Sequence, residues 1–178
     1  MQHLMKLTLA GAPVWRLIAL DGKADLSHAA TLICAAFGYR GLDCIFKSGD
    51  ERVGALTQGQ MPGRGAMETL DAYLSRTKGG FSFLATDGIS MLCHAVQLMR
   101  SDEKLSCLIP SCIVGSGAVP PHGPYDLGYI SAFAQDDANL TLDIKAITSR
   151  MRALGSVRPP LEAALGAAGI APIPFREQ

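Results

Sequence analysis

Asp87, His94, Cys112 and His122 are the residues of this 178-residue chain whose types could combine in catalysis. A cysteine nucleophile needs its thiol beside an orienting base and near donors for an oxyanion. Cys112 with His94 meets that minimum, Asp87 could orient the base, and Gly115 and Gly117 could present backbone N–H groups beside the thiol. Nothing else in the sequence selects Cys112 over Cys34, Cys44, Cys93 or Cys107. Cys93, Cys107 and either histidine are also soft zinc ligands, but Cys93 and His94 are adjacent and on a strand would point to opposite faces. Cys107 stands five residues before Cys112, without the close pairing of a zinc knuckle. No metal and no cofactor is therefore expected.

A binding surface is the stronger expectation. Pro110, Pro120, Pro121 and Pro124, interleaved with Gly115, Gly117 and Gly123, predict a rigid, extended crossing over a sheet. The segment is not a phosphate loop, because it has no Gly-Lys-Ser/Thr ending and no strand-glycine-helix order. Its proline-rich rim beside Tyr125 and Tyr129 is suited to gripping a peptide or a base. Asp87, His94, Pro120, Pro121, His122, Tyr125 and Tyr129 are the residues expected to form that surface.

Composition narrows the classes. Apolar residues make up 48% of the chain against 18% charged, enough to fill one core and to exclude wholesale disorder. Sixteen basic and sixteen acidic residues cancel, which argues against a strongly phosphate-binding surface. Nucleic-acid binding survives only as a third reading, through a patch at Arg40, Lys47, Arg52 and Arg64. Serine recombination would need several arginines around an activated serine, and the first forty residues offer only Arg16 and Arg40. The odd number and apolar settings of the cysteines predict reduced core thiols. No stretch approaches the ~20 apolar residues of a membrane span, and no leader pattern opens the chain, so a soluble, cytoplasmic protein is expected.

The elements follow from periodicity. Residues 4–9 alternate with a period of two, Gly11 and Pro13 interrupt, and a second strand runs over 14–20, predicting an antiparallel pair. Trp15 is expected in the core and Arg16, on the other face, in a surface ion pair. Leu26, Ala29, Ala30, Ile33, Cys34 and Phe37 mark a helix that Asp21 or Asp25 caps and Gly38 stops, packing across the hairpin. A short strand at 42–47 precedes a mobile, glycine-rich stretch over 48–66, with one weak strand near Arg52–Leu56. Met67, Leu70, Tyr73 and Leu74 mark a second helix. Strands containing Phe81, Phe83 and Ala85 and covering 91–99 flank an Asp87-Gly88 turn, and a third helix begins near Asp143. The order predicts an α+β fold, with a β-grasp-like mixed or antiparallel sheet crossed by a long helix and further helices toward the C-terminus. Residues 1–154 form that domain, and 155–178 a Pro/Ala-rich appendage with a short helix at 161–168.

Several segments together resemble the plasmid pRiA4b ORF-3-like family, often described as passenger proteins of transposable elements. Residues 7–16, Leu-Thr-Leu-Ala-Gly-Ala-Pro-Val-Trp-Arg, are similar to its strand, turn and Trp-Arg signature. Ala35-Ala36-Phe37-Gly38-Tyr39 resembles the end of its first helix, Pro110 to Pro121 its Pro-x-Cys, glycine and Pro-Pro element, Gly128-Tyr129 its continuation, and Leu140 to Arg152 its closing helix. The resemblance covers residues 3–152. Departures lie where members carry Tyr-Asp-Phe-Gly-Asp followed by Trp and His: here Asp87 and His94 keep two positions, while the second acid and the Trp are lost. His122 stands where an acidic residue is usual. The resemblance implies a fold and a possible link to mobile elements, and no established activity.

The sequence thus points to a non-enzymatic binding or accessory protein with a protein or peptide partner. A cysteine- or metal-dependent hydrolase at Cys112 and His94 is the alternative.

Overall fold

The computed structural model describes residues 1–57 and 63–158. The appendage from 159 onward, its 161–168 helix, and the expected mobility at 58–62 lie outside the described residues.

Strict alternation makes the first strand, β1 (Gln2–Leu9), bury His3, Met5, Leu7 and Leu9 on one face. It pairs antiparallel with β2 (Trp15–Asp21), Leu7 opposite Arg16 and Met5 opposite Ile18. The chain continues through α1 (Leu26–Phe37), β3 (Asp43–Ser48), β4 (Glu51–Leu56), α2 (Leu70–Thr77), β5 (Gly80–Thr86), β6 (Met91–Asp102), β7 (Ser111–Ser116), α3 (Leu127–Gln135) and α4 (Ile144–Ala153). Single 3-10 turns lie at Arg64–Met67 and Asp137–Asn139. The fold is α+β, with one seven-stranded sheet in the order β4-β3-β5-β6-β1-β2-β7 and every pairing antiparallel. No described helix is long and apolar enough to cross a membrane.

The capping residue of α1 is Asp25, whose carboxylate accepts from His28 N at 2.7 Å, and Gly38 at φ 87° ends the helix in the left-handed conformation that glycine adopts without strain. An amphipathic helix is predicted from the stripe, yet all of α1 except Thr31 is buried. The reason lies on its outer side, where α4 packs. Ala29, Ala30, Ala35 and Ala36 supply the small side chains that a helix enclosed from both sides tolerates.

Two expectations change in the proline- and glycine-rich segment. Residues 111–116 form an edge strand on β2 rather than a free crossing, and the stretch after Asp126, for which no element is expected, folds as α3 with Asp126 as its cap. Helix α4 covers the open edge of β7: Thr148 Oγ1 accepts from Cys112 N at 3.1 Å and donates to Cys112 O at 3.0 Å. At Cys112 the outer edge of the sheet thereby has both backbone groups satisfied.

The expected roles of Trp15 and Arg16 are exchanged. Trp15 lies on the outer face of the sheet, half-buried, with Lys6 Nζ 4.8 Å from its ring centroid. Arg16 points inward and is 1% exposed. Its guanidinium donates to four carbonyls: Nε to Ala36 O (3.1 Å), Nη1 to Trp15 O (2.8 Å) and Ser116 O (2.7 Å), and Nη2 to Gly117 O (2.9 Å). Phe37 flanks it, ring centroid 5.1 Å from Cζ. A polar residue at an inward position violates simple alternation, and this planar five-donor fork satisfies it where no other side chain could. The glycines nearby make the room. A Cβ on Gly115 would sit 2.7 Å from Trp15 O and 2.8 Å from Arg16 Cδ, and one on Gly117 (φ +74°) would sit 2.5 Å from Pro13 O.

Replacement of Arg16 by Leu strands those four acceptors, and the urea midpoint should report a loss of about 3 kcal/mol or more. Arg16→Lys should recover less than half of it, because one ammonium cannot span the fork; a loss under about 1 kcal/mol in Arg16→Leu would contradict this role.

Candidate functional site

The C-terminal turn of α1 gathers the polar chemistry of the fold. Helix ends leave four carbonyls without intrahelical partners and carry about half a negative charge. Here Gly38 N and Tyr39 N bond Cys34 O, Arg150 Nε bonds Ala35 O at 2.7 Å, and Arg16 Nε bonds Ala36 O. Two arginines from opposite sides, one on β2 and one on α4, thus close the helix end. Burial, opposed by nearby Cys112 and Tyr39, holds Arg16 down to about 10, still fully charged near neutrality. Burial, with Arg40 adding repulsion, lowers Arg150 as well.

Beside this end opens a cleft of about 520 Å³ between α1, the 38–42 loop, Leu56, the 118–121 segment and α4. Arg16, Arg40 and Arg150 line it together with Asp143, whose carboxylate already caps α4 by accepting from Ala146 N at 2.9 Å. Its walls include Leu42, Leu56, Val119, Leu142, Ile147 and Leu154.

The residues singled out by type fall in several places. His94 is 0% exposed, enclosed by Phe37, Tyr39 and Phe83 with ring centroids 4.7, 5.6 and 5.7 Å away. Its Nδ1 lies 3.1 Å from Phe83 O, an acceptor only, so Nδ1 carries the proton and Nε2 accepts from Tyr39 Oη at 2.9 Å. Burial, with Arg16 adding to it and Phe83 O opposing, lowers His94 to about 4, while burial raises the Tyr39 phenol. Asp87 stands exposed in the β5–β6 turn, its Oδ1 accepting from Ile89 N at 2.9 Å and Ser90 N at 2.7 Å; those backbone bonds lower its carboxyl. Cys112 is buried on β7, and its thiol is raised by burial against the opposing pull of Arg16. Strands β1 and β2 lie between β6 and β7, which separates Cys112 from His94 by three strand spacings, about 14 Å across the sheet. The structure does not bring Asp87, His94 and Cys112 together; Gly115 accommodates the Arg16 side chain, and Gly117 offers it a carbonyl.

Pro121 lines the cleft, Pro120 is buried behind it, and His122 is exposed at the following turn. Tyr125 is buried, its Oη accepting from Arg40 N at 2.9 Å and its ring edge-on to Tyr39. Tyr129 is exposed on α3. Of the four basic residues grouped for nucleic acid, Arg40 belongs to the cleft, while Lys47 and Arg52 face each other across β3 and β4. Cys34 and Cys44 are buried with sulfurs 3.3 Å apart, but Cys93 is exposed and Cys107 half-buried, so a core setting does not hold for those two. Among the described residues no three His, Cys, Asp or Glu side chains approach closely enough to share an ion.

Sequence reasoning missed two constellations. One is the arginine trio, which only β2 alternation read with Arg16 inward could have announced. The other joins His3 Nδ1 to Ser101 Oγ at 2.9 Å and His3 Nε2 to Asp71 Oδ1 at 2.7 Å. The ring is turned end for end relative to a serine-hydrolase triad, in which Nε2 faces the serine, and the bonds tie β1 and β6 to α2.

No family model matches the chain, and no curated protein does. Among solved structures, the fold is similar to that of a protein of unknown function, MM3350, from Methanosarcina mazei Go1. The TM-score is 0.53 at 16% identity, over 66% of this chain and 70% of that one. At that identity the likeness is one of fold.

The pH dependence of stability follows from His94. The folded state holds it neutral down to about 4, whereas the unfolded chain takes up the proton near 6.5, so the unfolded state binds more protons between those values. Its contribution is complete above about pH 6.5 and is lost as pH falls toward 4, at up to ~1.4 kcal/mol per pH unit. Urea midpoints at pH 7.0, 6.0 and 5.0 should fall more steeply for the native chain than for His94→Gln; parallel slopes would contradict the neutral assignment.

Proposed function

We propose that this protein is a non-enzymatic binding module whose ligand occupies the cleft at the C-terminal end of α1. The observation that carries this reading is the cleft itself: about 520 Å³, with a few polar groups converging on mostly apolar walls. That volume suits a small molecule rather than a long peptide. The expected surface at Asp87, His94 and the proline segment contracts in this reading to the part around Pro121, because Asp87 is engaged in its turn and His94 is sealed. A hydrolase is disfavoured on geometry. The one thiol expected to attack lies three strands from its base, about 14 Å across the sheet, and both nitrogens of that base are already bonded.

Kinship with the pRiA4b ORF-3-like family, and with it a link to mobile elements, is part of the proposal and rests on the segments quoted from the sequence. So does a β-grasp-like description, supported by α1 lying against β2, β3 and β4.

Ala146 is exposed on α4 and lines the cleft, so Ala146→Trp fills it from a surface position. Ligand-observed NMR against a small-molecule fragment library should give hits that disappear in Ala146→Trp and persist within twofold in Cys112→Ser. Hits that ignore the tryptophan would place the site elsewhere, and loss in Cys112→Ser with fold retained would favour the hydrolase.

A further inference from the structure

Among the described residues, no ion pair neutralises the positive charge of the cleft. None of the ion pairs among the described residues involves Arg16, Arg40 or Arg150. Arg16 is held by carbonyls alone, and the α1 end it caps offsets about half a unit of charge against three. Asp143 adds one negative charge, already turned toward the first turn of α4. A buried cation left without a carboxylate is costly unless something else balances it, and the exposed Arg40 and Arg150 add positive charge beside it.

The three arginines are not equivalent. Arg16 has its nitrogens committed and acts as a fixed positive potential at the floor. Arg150 uses only Nε, on Ala35 O, which leaves its terminal Nη groups over Gly38, where even an added Cβ would lie 3.7 Å from Nη2. Arg40 is anchored through its backbone N–H to Tyr125 Oη, and its guanidinium has no hydrogen bond within the described protein. Two forks are thus free to meet an acid group, and charge-assisted bonds from such forks are the strong ones. Leu42, Leu56, Val119, Leu142 and Leu154 form walls that reward an apolar body.

Resting on the reading of the cleft as a ligand site, we propose that it takes an amphiphilic organic anion. Its acid group lies between Arg150 and Arg40 above Arg16, and its apolar body lies against the leucine-lined wall. Carboxylates and sulfonates share that chemistry. Inorganic phosphate has the charge without the body, and a neutral aromatic has the body without the charge.

The test uses 8-anilinonaphthalene-1-sulfonate and its uncharged frame, N-phenyl-1-naphthylamine, titrated by fluorescence into the full chain at low salt, with the unchanged melting temperature confirming the fold. The sulfonate should bind one per chain, roughly tenfold or more tighter than the amine. Arg150→Gln should weaken the sulfonate about tenfold and leave the amine unchanged; Arg40→Gln, which removes no hydrogen bond of the fold, should act in the same direction. Raising salt should weaken the sulfonate, and millimolar inorganic phosphate should displace it poorly. Equal binding of sulfonate and amine, both lost in Ala146→Trp, would overturn the anion and keep the cleft as a ligand site. Displacement by phosphate as effective as by the sulfonate itself would overturn the apolar body. Binding of both probes unaffected by Ala146→Trp, or no binding at all, would overturn the anion proposal and the cleft reading together.

Discussion

The guanidinium of Arg16 ties three pieces of chain together: its own strand, the last turn of α1 and the bend that leaves β7. Each partner is a backbone carbonyl, so the interaction reads geometry and ignores side-chain identity. Carbonyls drawn into the interior must be met by donors, and a planar fork meets four of them at once. The surrounding sequence follows from that requirement. Gly115 clears the space, Gly117 lets the chain pass close to Pro13 and Val14, Phe37 covers one face of the cation, and the α1 helix stops at Gly38 within reach.

Closing a helix end with arginine has a second effect. The carbonyl dipoles favour cations, so Arg16 and Arg150 are stabilised where they stand, but only in part. The remaining charge faces the cleft, and the loop after α1 adds Arg40 to it. In the proposed reading, packing and ligand binding therefore meet in the same residues. The helix end that completes the core also sets the sign of the potential that a ligand encounters. His94 and Tyr39 supply the rigid background: a neutral imidazole between a phenol and a carbonyl, in an aromatic shell, holds the 38–42 loop against β6 without adding charge.

The elements with strong local signals were legible in the sequence. The hairpin at 4–9 and 14–20, the helix capped by Asp25 and ended by Gly38, and the helix from Asp143 all follow from period, cap and stop residues. What escaped did so for identifiable reasons. Strand β7 sits in a segment whose prolines and glycines mask periodicity, and an edge strand needs only one paired side, while α3 is a short helix of nine residues directly after that segment. Alternation placed Arg16 on the same face as Val14, Ile18 and Leu20, so its position was there to be read. The ordinary preference of arginine for water overruled the pattern. The same preference led Trp15 to be placed inside, although its ring lies outside under Lys6. The expected site drew on Asp87, histidines, a cysteine and the prolines and tyrosines after residue 110, of which Pro121 lines the cleft, whereas the polar groups that converge there come from β2, the 38–42 loop and α4, far apart in sequence.

Hydrogen exchange at the Arg16 Nε–H group, followed by ¹H–¹⁵N NMR with Arg16→Leu used to assign the signal, tests the arrangement most directly. A guanidinium sealed against Ala36 O should keep its Nε proton for as long as the most protected sheet amides, exchanging only with global opening. Exchange as fast as that of the exposed Arg152 would mean that the cation is not locked into the helix end, and the account built on it would fail.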